Sequence, residues 1–489
     1  MTTFLDDGVR SRAGKCGASR LALWLCAALL LAVGAPEASG ALLTSDETDI
    51  PDVGEPFDVK AFEAYSLPAG KNADSLYLLA QRSLVKLDHK RAAFARSEAA
   101  EKSARQAALL GWGEANDDVR KWLDANEKAL GAWKSGTMWA EAIEVPLREL
   151  NFESDLPVSN DARTFVKLAL AKASQLTHEE QTAEAWTWYR ATLRASRHLG
   201  MRGGVVERMV GADVYRLARD PILNWAACTQ VSAADLRQAL DDIVAIDSMT
   251  APLSRSLKVE YLGVRHSINL VLTNLRKEHP FVAVAIRQSG RPEQMMRVAN
   301  LYFANWLANA DRPRSQRRPR IDKEVGLFEP APGSPRLPPP RVLKKLIAMQ
   351  LSGLEPNMGV IKSPIVDYAL PGMMFLFDTV DQDQVNRAAV ITGLALQLYL
   401  RDHGRFPQAV SELVSARYLK ILPRDPYGNG ESIHYRLESK PPERAVVWSV
   451  GLGGISEAGE LPAAKGDDRS TSDTVFEITA ARQSPLSTK

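Results

Sequence analysis

Apolar residues recur at helical spacing through most of the first two thirds of the chain. Between Ser75 and Ala310 they return every three or four positions, with polar residues between them. An apolar stripe of this period is typical of helices that bury one face. Short connections make consecutive helices antiparallel neighbours. The pattern predicts a mainly α fold, a multi-helix bundle or an irregular stack of helical hairpins, with helices at 75–110, 116–133, 161–175, 178–199, 205–219, 233–246 and 253–275.

The most apolar helix is predicted near residue 390. Between Ala388 and Leu400 only Thr392 and Gln397 are polar, so nearly the whole circumference of the helix is apolar. The segment is too short to cross a bilayer, which needs about 20 residues. We therefore expect a buried helix over Gln384–Asp402, covered by a sheet on one side and by preceding helices on another.

Alternating apolar and polar residues begin after residue 430. Runs of this kind lie at 433–437, 446–450 and 474–478, and turn residues at Asp425–Gly430 precede the first. Short alternating runs with tight connections predict an antiparallel sheet with one face on a core. The fold class is therefore mainly α with a small C-terminal α+β module, which contains a long helix and a three-stranded antiparallel sheet.

Composition divides the chain further. Residues 311–341 are rich in Arg and Pro, and proline at this density cannot continue a helix. A solvated linker is the favoured interpretation, and contact of its arginines with lipid headgroups or an acidic partner is the alternative. The predicted segments are 1–40 signal peptide or anchor, 41–74 extended lead-in, 75–310 helical domain, 311–341 linker, 342–383 bridging helices, 384–480 C-terminal domain and 481–489 disordered tail.

The first 40 residues are typical of an export signal. Basic residues precede the uncharged apolar run Leu21–Gly34, and Ala38–Gly40 supplies the small residues that a signal peptidase recognises. Cleavage after Gly40 is expected, and an uncleaved anchor is the alternative. The sequence thus predicts an exported protein of the periplasm or the outer face of the cell envelope.

The charges of the chain nearly balance. Its 61 basic and 59 acidic residues give a net charge of +2, which does not indicate general attraction to nucleic acid. The expected partners are envelope proteins, with membrane contact only through an uncleaved leader or the Arg-rich linker. Beyond the leader Cys228 is the only cysteine, and its apolar neighbours favour a buried thiol over a nucleophile.

Several segments near the C-terminus carry a family resemblance. The helix end Leu398–Pro407 is followed by the turn Leu422–Asn429, a Tyr-Arg strand and the segment Trp448–Gly451. In this order, and over about 90 residues, they resemble the globular domain of the major pseudopilin of type II secretion systems. The resemblance implies a small sheet packed on the helix, and an acidic loop that binds calcium.

The chain departs from that family in two places. Its leader is of the secretory type, without the cleaved Gly-Phe-Thr-Leu-Ile-Glu start of a pseudopilin. Gly451–Gly454 stand where the family places an aspartate, so a solvated acidic loop is the alternative to a calcium site. Oxygen ligands for calcium could come from Asp467, Asp468 and Asp473. The whole chain also resembles uncharacterised exported proteins of planctomycete-type bacteria, which implies no activity.

No motif identifies a reaction. Ser83 and Lys86 have Ser-x-x-Lys spacing without the other elements of that enzyme class, and the seven histidines have no zinc spacing. Asp241, Asp242 and Asp247 share one helix, where a solvated face is expected.

We therefore expect a non-enzymatic envelope protein whose helical body binds or scaffolds. One alternative is an accessory component of a secretion apparatus, which exposed apolar surface beside the buried helix would favour. The other is an exported hydrolase whose site is assembled from distant residues. A deep polar pocket with at least two perturbed carboxylates or histidines would favour the hydrolase.

Overall fold

The structure is a computed structural model. It describes residues 50–68, 70–86, 94–151, 153–278, 280–281, 284, 291–322, 325–334, 336–343, 370–438, 443–451, 456, 458–459 and 473–480. The predicted leader, the tail at 481–489, and the predicted bridging helices between residues 344 and 369 lie outside these ranges.

The described chain is mainly helical, as the sequence predicts. Pro157 stands at the first position of α6, and Ser232 opens α9 with a capping box to Asp235. The helices are α1 Val59–Glu63, α2 Asp74–Ser83, α3 Phe94–Leu110, α4 Asp117–Ala125, α5 Glu127–Thr137, α6 Pro157–His178, α7 Thr182–Arg202, α8 Val205–Ala227, α9 Ala233–Asp247, α10 Leu253–Glu278, α11 Arg291–Ala310, α12 Leu370–His403 and α13 Glu412–Ser415.

The single helix predicted over 116–133 is wrong, because α4 and α5 are separated at Asn126. The Asn126 side chain is fully buried and accepts a hydrogen bond from the Val85 N–H at 2.8 Å. Its amide group donates to the carbonyls of Val85 and Trp122. These contacts with a distant segment satisfy a buried polar side chain at the helix break.

One hydrophobic core joins the helical body to the C-terminal module. It contains buried residues from α2 to α9, from α12 and from the sheet. Within this core α12 packs against α8 and α9 and also against β2 and β3 of the sheet. The segments predicted as separate domains, 75–310 and 384–480, therefore share a core.

A second core lies around α10 and α11. The lead-in contributes Ile50 and Val59 to it, and α1 begins there with Asp58 capping the Ala61 N–H at 2.9 Å. The prediction of a simply extended lead-in is therefore wrong in the part that the structure describes. Glu63 of α1 lies 3.0 Å from His266 of α10, and Phe57 packs edge-on against Tyr261 of the same helix.

The central helix α12 is longer than predicted. It begins at Leu370 rather than Gln384, so the predicted boundary between residues 383 and 384 lies inside one continuous helix. Between residues 388 and 400 every residue except Ile391 and Leu400 is buried, which confirms the expected covering of this segment. Gly404 ends the helix with φ +70°, a conformation that glycine adopts without strain.

The predicted three-stranded antiparallel sheet is confirmed. Its strands lie in the order β1 His434–Glu438, β2 Arg444–Ser449 and β3 Thr474–Thr479. Ala445 and Val447 share the face that joins the core with α12, together with Phe476 and Ile478 of β3. Trp448 lies on the other face, where it stacks on His434 and donates to Ser456 Oγ at 2.9 Å.

The Arg/Pro-rich segment is not a solvated linker where the structure describes it. Arg317 forms a two-bond ion pair with Asp381 of α12, at 2.7 and 2.8 Å, and Arg314 bonds the same carboxylate. Leu327 and Phe328 are buried in the second core. The prediction is wrong because the arginines pair with a buried carboxylate of α12, which is distant in the sequence.

No helix in the described ranges is both long enough and apolar enough to cross a membrane.

Candidate functional site

A pocket lies in the helical body, where α2, α6, α7 and α8 come together. Its cavity volume is about 50 Å³, and it opens partly to solvent. An apolar wall surrounds a set of polar side chains, which come from positions far apart in the sequence. The polar residues central to its chemistry are Asp74, Tyr77, Glu144, His198, Arg202 and Glu207.

Helix N-termini converge on this pocket. The helices α2, α6 and α8 all begin beside it, and the free N–H groups at a helix start favour negative charge. Glu144 accepts hydrogen bonds from the Val158 N–H and from Ser159 Oγ, both at 2.6 Å, and so caps α6. Glu260 of α10 accepts from the Val205 N–H at 3.1 Å and so caps α8.

Asp74 is the first residue of α2 and is only 9% exposed. Its backbone N–H donates to Asn72 Oδ1 at 3.1 Å, whereas its own Oδ1 is buried without a hydrogen-bond partner. Burial, together with the nearby charge of Glu144, raises the pKa of Asp74 to about 7. This carboxyl group therefore exchanges its proton near neutral pH.

Glu207 is a second buried acid of the pocket. Its pKa is raised to about 7, mainly by burial and also by the nearby charge of Glu260. Hydrogen bonds from its own N–H and that of Gly204 act in the opposite direction. A Cβ atom at Gly204 would lie 2.7 Å from a Glu260 carboxylate oxygen. The absence of a side chain at Gly204 lets these two carboxylates approach the start of α8.

His198 is held between two neighbours. Its Nδ1 lies 2.7 Å from the Tyr77 hydroxyl and its Nε2 lies 3.1 Å from the Trp139 carbonyl oxygen. Burial lowers the pKa of His198 to about 4, so the ring is neutral at pH 7. Because a carbonyl can only accept, Nε2 carries the proton and Nδ1 accepts from Tyr77. Both ring nitrogens are therefore occupied.

Arg202 contributes the positive charge at the pocket, but that charge is balanced locally. Its Nε lies 3.1 Å from the Glu141 carboxylate, which also accepts a 2.8 Å hydrogen bond from the Tyr65 hydroxyl. The guanidinium group lies over the Tyr65 ring at 3.6 Å. The three acids of the pocket, Asp74, Glu144 and Glu207, have no such cation beside them among the contacts of the described residues.

A separate buried cluster of charges joins α7 to α12. Arg197 forms two hydrogen bonds of 2.8 Å with Asp383, and both side chains are only 2% exposed. Arg387 lies one helical turn from Asp383, at 3.2 Å, and also pairs with Asp247. Every carboxylate here has a guanidinium partner, so the cluster holds helices together and offers no free acid or base.

The structure places only one of the proposed calcium ligands. Asp473 is buried and accepts a 3.0 Å hydrogen bond from the Gly459 N–H, whereas Asp467 and Asp468 lie outside the described residues. Within the described ranges no three His, Cys, Asp or Glu residues come together as metal ligands would. The Asp473 carboxylate therefore links Gly459 to the residue before β3.

The structure does not join the other sequence candidates into a site. Ser83 Oγ donates to the Leu79 carbonyl at 3.0 Å, and Lys86 pairs with Asp161 at 2.7 Å. Asp242 accepts a 2.8 Å hydrogen bond from the Trp186 indole, and Asp247 pairs with Arg387. The expectation of a solvated face is therefore wrong for these two aspartates, and Asp241 alone of the three is exposed. Cys228 is half-buried, and its thiol donates to the Asn224 carbonyl.

Sequence reasoning missed the pocket. Its acids lie at positions 74, 144 and 207, each on a different element, so they form no motif. The only local signal is the Gly203–Gly204 pair three residues before Glu207, which marks a close approach of backbone to another group.

No family model, no curated protein and no solved structure matches the chain in the three comparisons made with known proteins.

Proposed function

We propose that this chain is a non-enzymatic exported protein of the cell envelope, a helical body that binds or scaffolds partners and carries a pseudopilin-like C-terminal domain. The observation that supports the proposal most is α12, whose buried segment at 388–400 belongs to the helical body and to the C-terminal module at once. A shared core holds both parts in one orientation, as a scaffold requires.

The polar groups of the pocket are consistent with this proposal. Glu144 caps a helix, as the neighbouring Glu260 does, and His198 uses both ring nitrogens in structural hydrogen bonds. Groups committed in this way stabilise the native state, because each satisfies donors that would otherwise be buried unpaired.

Site-specific photo-cross-linking in the envelope tests the proposal. The cross-linker would be placed at Ile421 of the C-terminal module, which is 77% exposed, and at Leu110 of the helical body, which is 62% exposed. We expect a discrete adduct with an envelope protein from one of these positions, and its loss when unlabelled protein competes. Adducts that are equally diffuse at both positions would contradict a specific binding role.

Mass spectrometry of the protein purified from its own envelope tests the export part of the proposal. A chain that begins at Ala41 is the expected result, because Ala38–Gly40 has the small residues of a cleavage site. Retention of Met1 would instead support the uncleaved anchor.

An exported hydrolase is the second candidate, and the pocket is the observation in its favour. Asp74 and Glu207 both have a pKa of about 7, which suits general acid and base catalysis near neutral pH. The purified protein would be assayed against ester, peptide and glycoside substrates. Turnover that D74N and E207Q each reduce by at least 100-fold, in folded protein, would replace the scaffold proposal with this one.

An accessory role in a secretion apparatus has less support. Such a role was expected to leave apolar surface exposed beside the buried helix, whereas α8, α9 and the sheet all pack against α12 and its segment 388–400 is almost entirely buried. Co-sedimentation of the purified protein with assembled pseudopilus filaments would test it directly.

A further inference from the structure

Asp74 differs from the other acids of its pocket in having an unused acceptor. The Glu144 carboxylate receives hydrogen bonds from Val158 and Ser159, whereas Asp74 Oδ1 is buried and receives none. Asp74 is more than nine-tenths buried and lines the pocket. A buried acceptor without a donor costs free energy, so a ligand that donates a hydrogen bond to Asp74 would be stabilised.

The charges around Asp74 select a cation. On its own helix the Tyr77 hydroxyl is neutral, and from α7 it faces the neutral His198 and Arg202, whose charge Glu141 balances. Glu144 approaches from the segment before α6, and Glu207 from α8. The pocket therefore carries more negative than positive charge, which a bound cation would neutralise.

The described residues around Asp74 suit an ammonium group better than a divalent metal ion. Calcium takes six or more oxygen ligands, and no group of three potential metal-ligand residues converges within the described residues. The Asp74 carboxylate and the Tyr77 hydroxyl oxygen suit a cation that needs only a few hydrogen-bond acceptors. An ammonium group has three donors and no acceptor, and the Tyr77 oxygen still has lone pairs after donating to His198.

The wall of the pocket indicates what the cation is attached to. Val145, Leu150 and Val158 line it, and apolar surface of this kind suits an aliphatic chain. We propose that this pocket binds a primary ammonium group on a short aliphatic chain, with the Asp74 carboxylate as its counter-ion. The group could belong to a free alkylamine or to a lysine side chain of a partner, because both present the same chemistry.

Calorimetric titration of the mature protein with n-butylamine at pH 8 tests the proposal. We expect saturable 1:1 binding that weakens at least 10-fold in D74N, because the amide carries no charge. Butan-1-ol has the same apolar chain without the cation and should not bind. E184Q is the matched control, since Glu184 lies outside the pocket and is half-exposed, and it should bind as the wild type does.

The pH dependence of butylamine affinity is a second, independent test. Protonation of Asp74 removes the counter-ion, so affinity should fall at least 10-fold between pH 8 and pH 5.5 in the wild type, and much less in D74N. If D74N does not fold, D74S replaces it, because the Asp74 side chain makes no capping hydrogen bond to α2 and the N–H of residue 74 is satisfied by Asn72.

Nα-acetyl-lysine amide, which carries the side chain of a protein lysine, distinguishes a free alkylamine from a lysine of a partner. Binding of butylamine but not of Nα-acetyl-lysine amide would assign a free amine, and binding of both would admit a protein lysine. Equal butylamine affinity in D74N and wild type, or no saturable binding to natively folded wild type, would overturn the proposal. Loss of amine binding would leave the scaffold proposal untouched, because that rests on the shared core.

Discussion

Asp383 and Asp74 are both almost fully buried, yet their pKa values move in opposite directions. Burial alone would raise the pKa of Asp383, but the guanidinium groups of Arg197 and Arg387 lower it to about 2. Asp74 has only the like charge of Glu144 beside it, and its pKa rises to about 7. The partner that the fold supplies, rather than burial itself, decides whether such a side chain is charged.

The Arg197–Asp383 pair gives the first residue-scale prediction. D383N leaves the Arg197 guanidinium buried without its counter-ion, and we expect the free energy of unfolding to fall by about 3–5 kcal/mol. E184Q removes a half-exposed partner of Lys134 and should cost less than about 1 kcal/mol. Urea denaturation of the two variants checks the contrast, and equal losses would mean that the buried pair is not special.

The second residue-scale prediction concerns how the stability of the protein depends on pH. An Asp has a pKa of about 3.9 when unfolded, whereas that of Asp74 is about 7 in the fold. Between these two pH values the native state binds the proton more tightly than the unfolded state does. The free energy of unfolding therefore falls as pH rises from about 4 through about 7. D74N lacks this penalty.

We expect D74N to be more stable than the wild type at pH 8, with a difference that shrinks as the pH falls toward 4. Urea denaturation of both proteins at several pH values measures that difference directly. A difference that does not change with pH would contradict the assignment of a raised pKa to Asp74.

At the scale of elements, α7 and α8 are held close together by a small residue. A Cβ atom at Gly211 of α8 would come closer than 3.0 Å to the backbone carbonyl oxygen of Ser196 on α7. Backbone cannot move aside as the end of a side chain can. The hairpin formed by these helices therefore depends on glycine at this position.

G211A should destabilise the protein by about 1–3 kcal/mol, because the two helices must separate to admit the methyl group. Alanine is otherwise the better helix former, by up to about 1 kcal/mol. G131A isolates that gain, because Gly131 of α5 is exposed and has no atom within 4 Å of its Cβ position. Thermal unfolding should therefore shift in opposite directions for the two variants.

At the scale of the whole molecule, the sheet and the helical body share one core. Val447 of β2 is fully buried within the same cluster as Trp225 of α8. Gln397 of α12 donates a 2.8 Å hydrogen bond to the Thr479 carbonyl of β3, which ties the sheet to the central helix. The two parts should therefore unfold together.

Hydrogen exchange measured by mass spectrometry checks this expectation. Opening free energies of the most protected amides in α8 and β2 should differ by less than about 1 kcal/mol. V447A should lower both by about 1–3 kcal/mol, whereas V206A, at a side chain that is 60% exposed, should change them by less than about 0.5 kcal/mol. Loss of protection confined to the sheet would show that the module is a separate folding unit.

Several elements of this molecule were predictable because their signals are local. The apolar circumference of 388–400, the alternating runs of the sheet and the glycine that ends α12 are all properties of contiguous residues. The break at Asn126 was not predictable, because the hydrogen bonds that stabilise it come from Val85. The ion pairs of Arg314 and Arg317 were missed for the same reason, since their partners lie on α12.

The sequence by itself determined a mainly helical chain with a buried helix and a small C-terminal sheet, because periodicity and turn chemistry act over neighbouring residues. Only the tertiary structure decided that two predicted domains share one core, and that Asp74 and Glu207 meet in a pocket with raised pKa values. Burial and electrostatic environment depend on which distant segments pack together, and no local pattern encodes that.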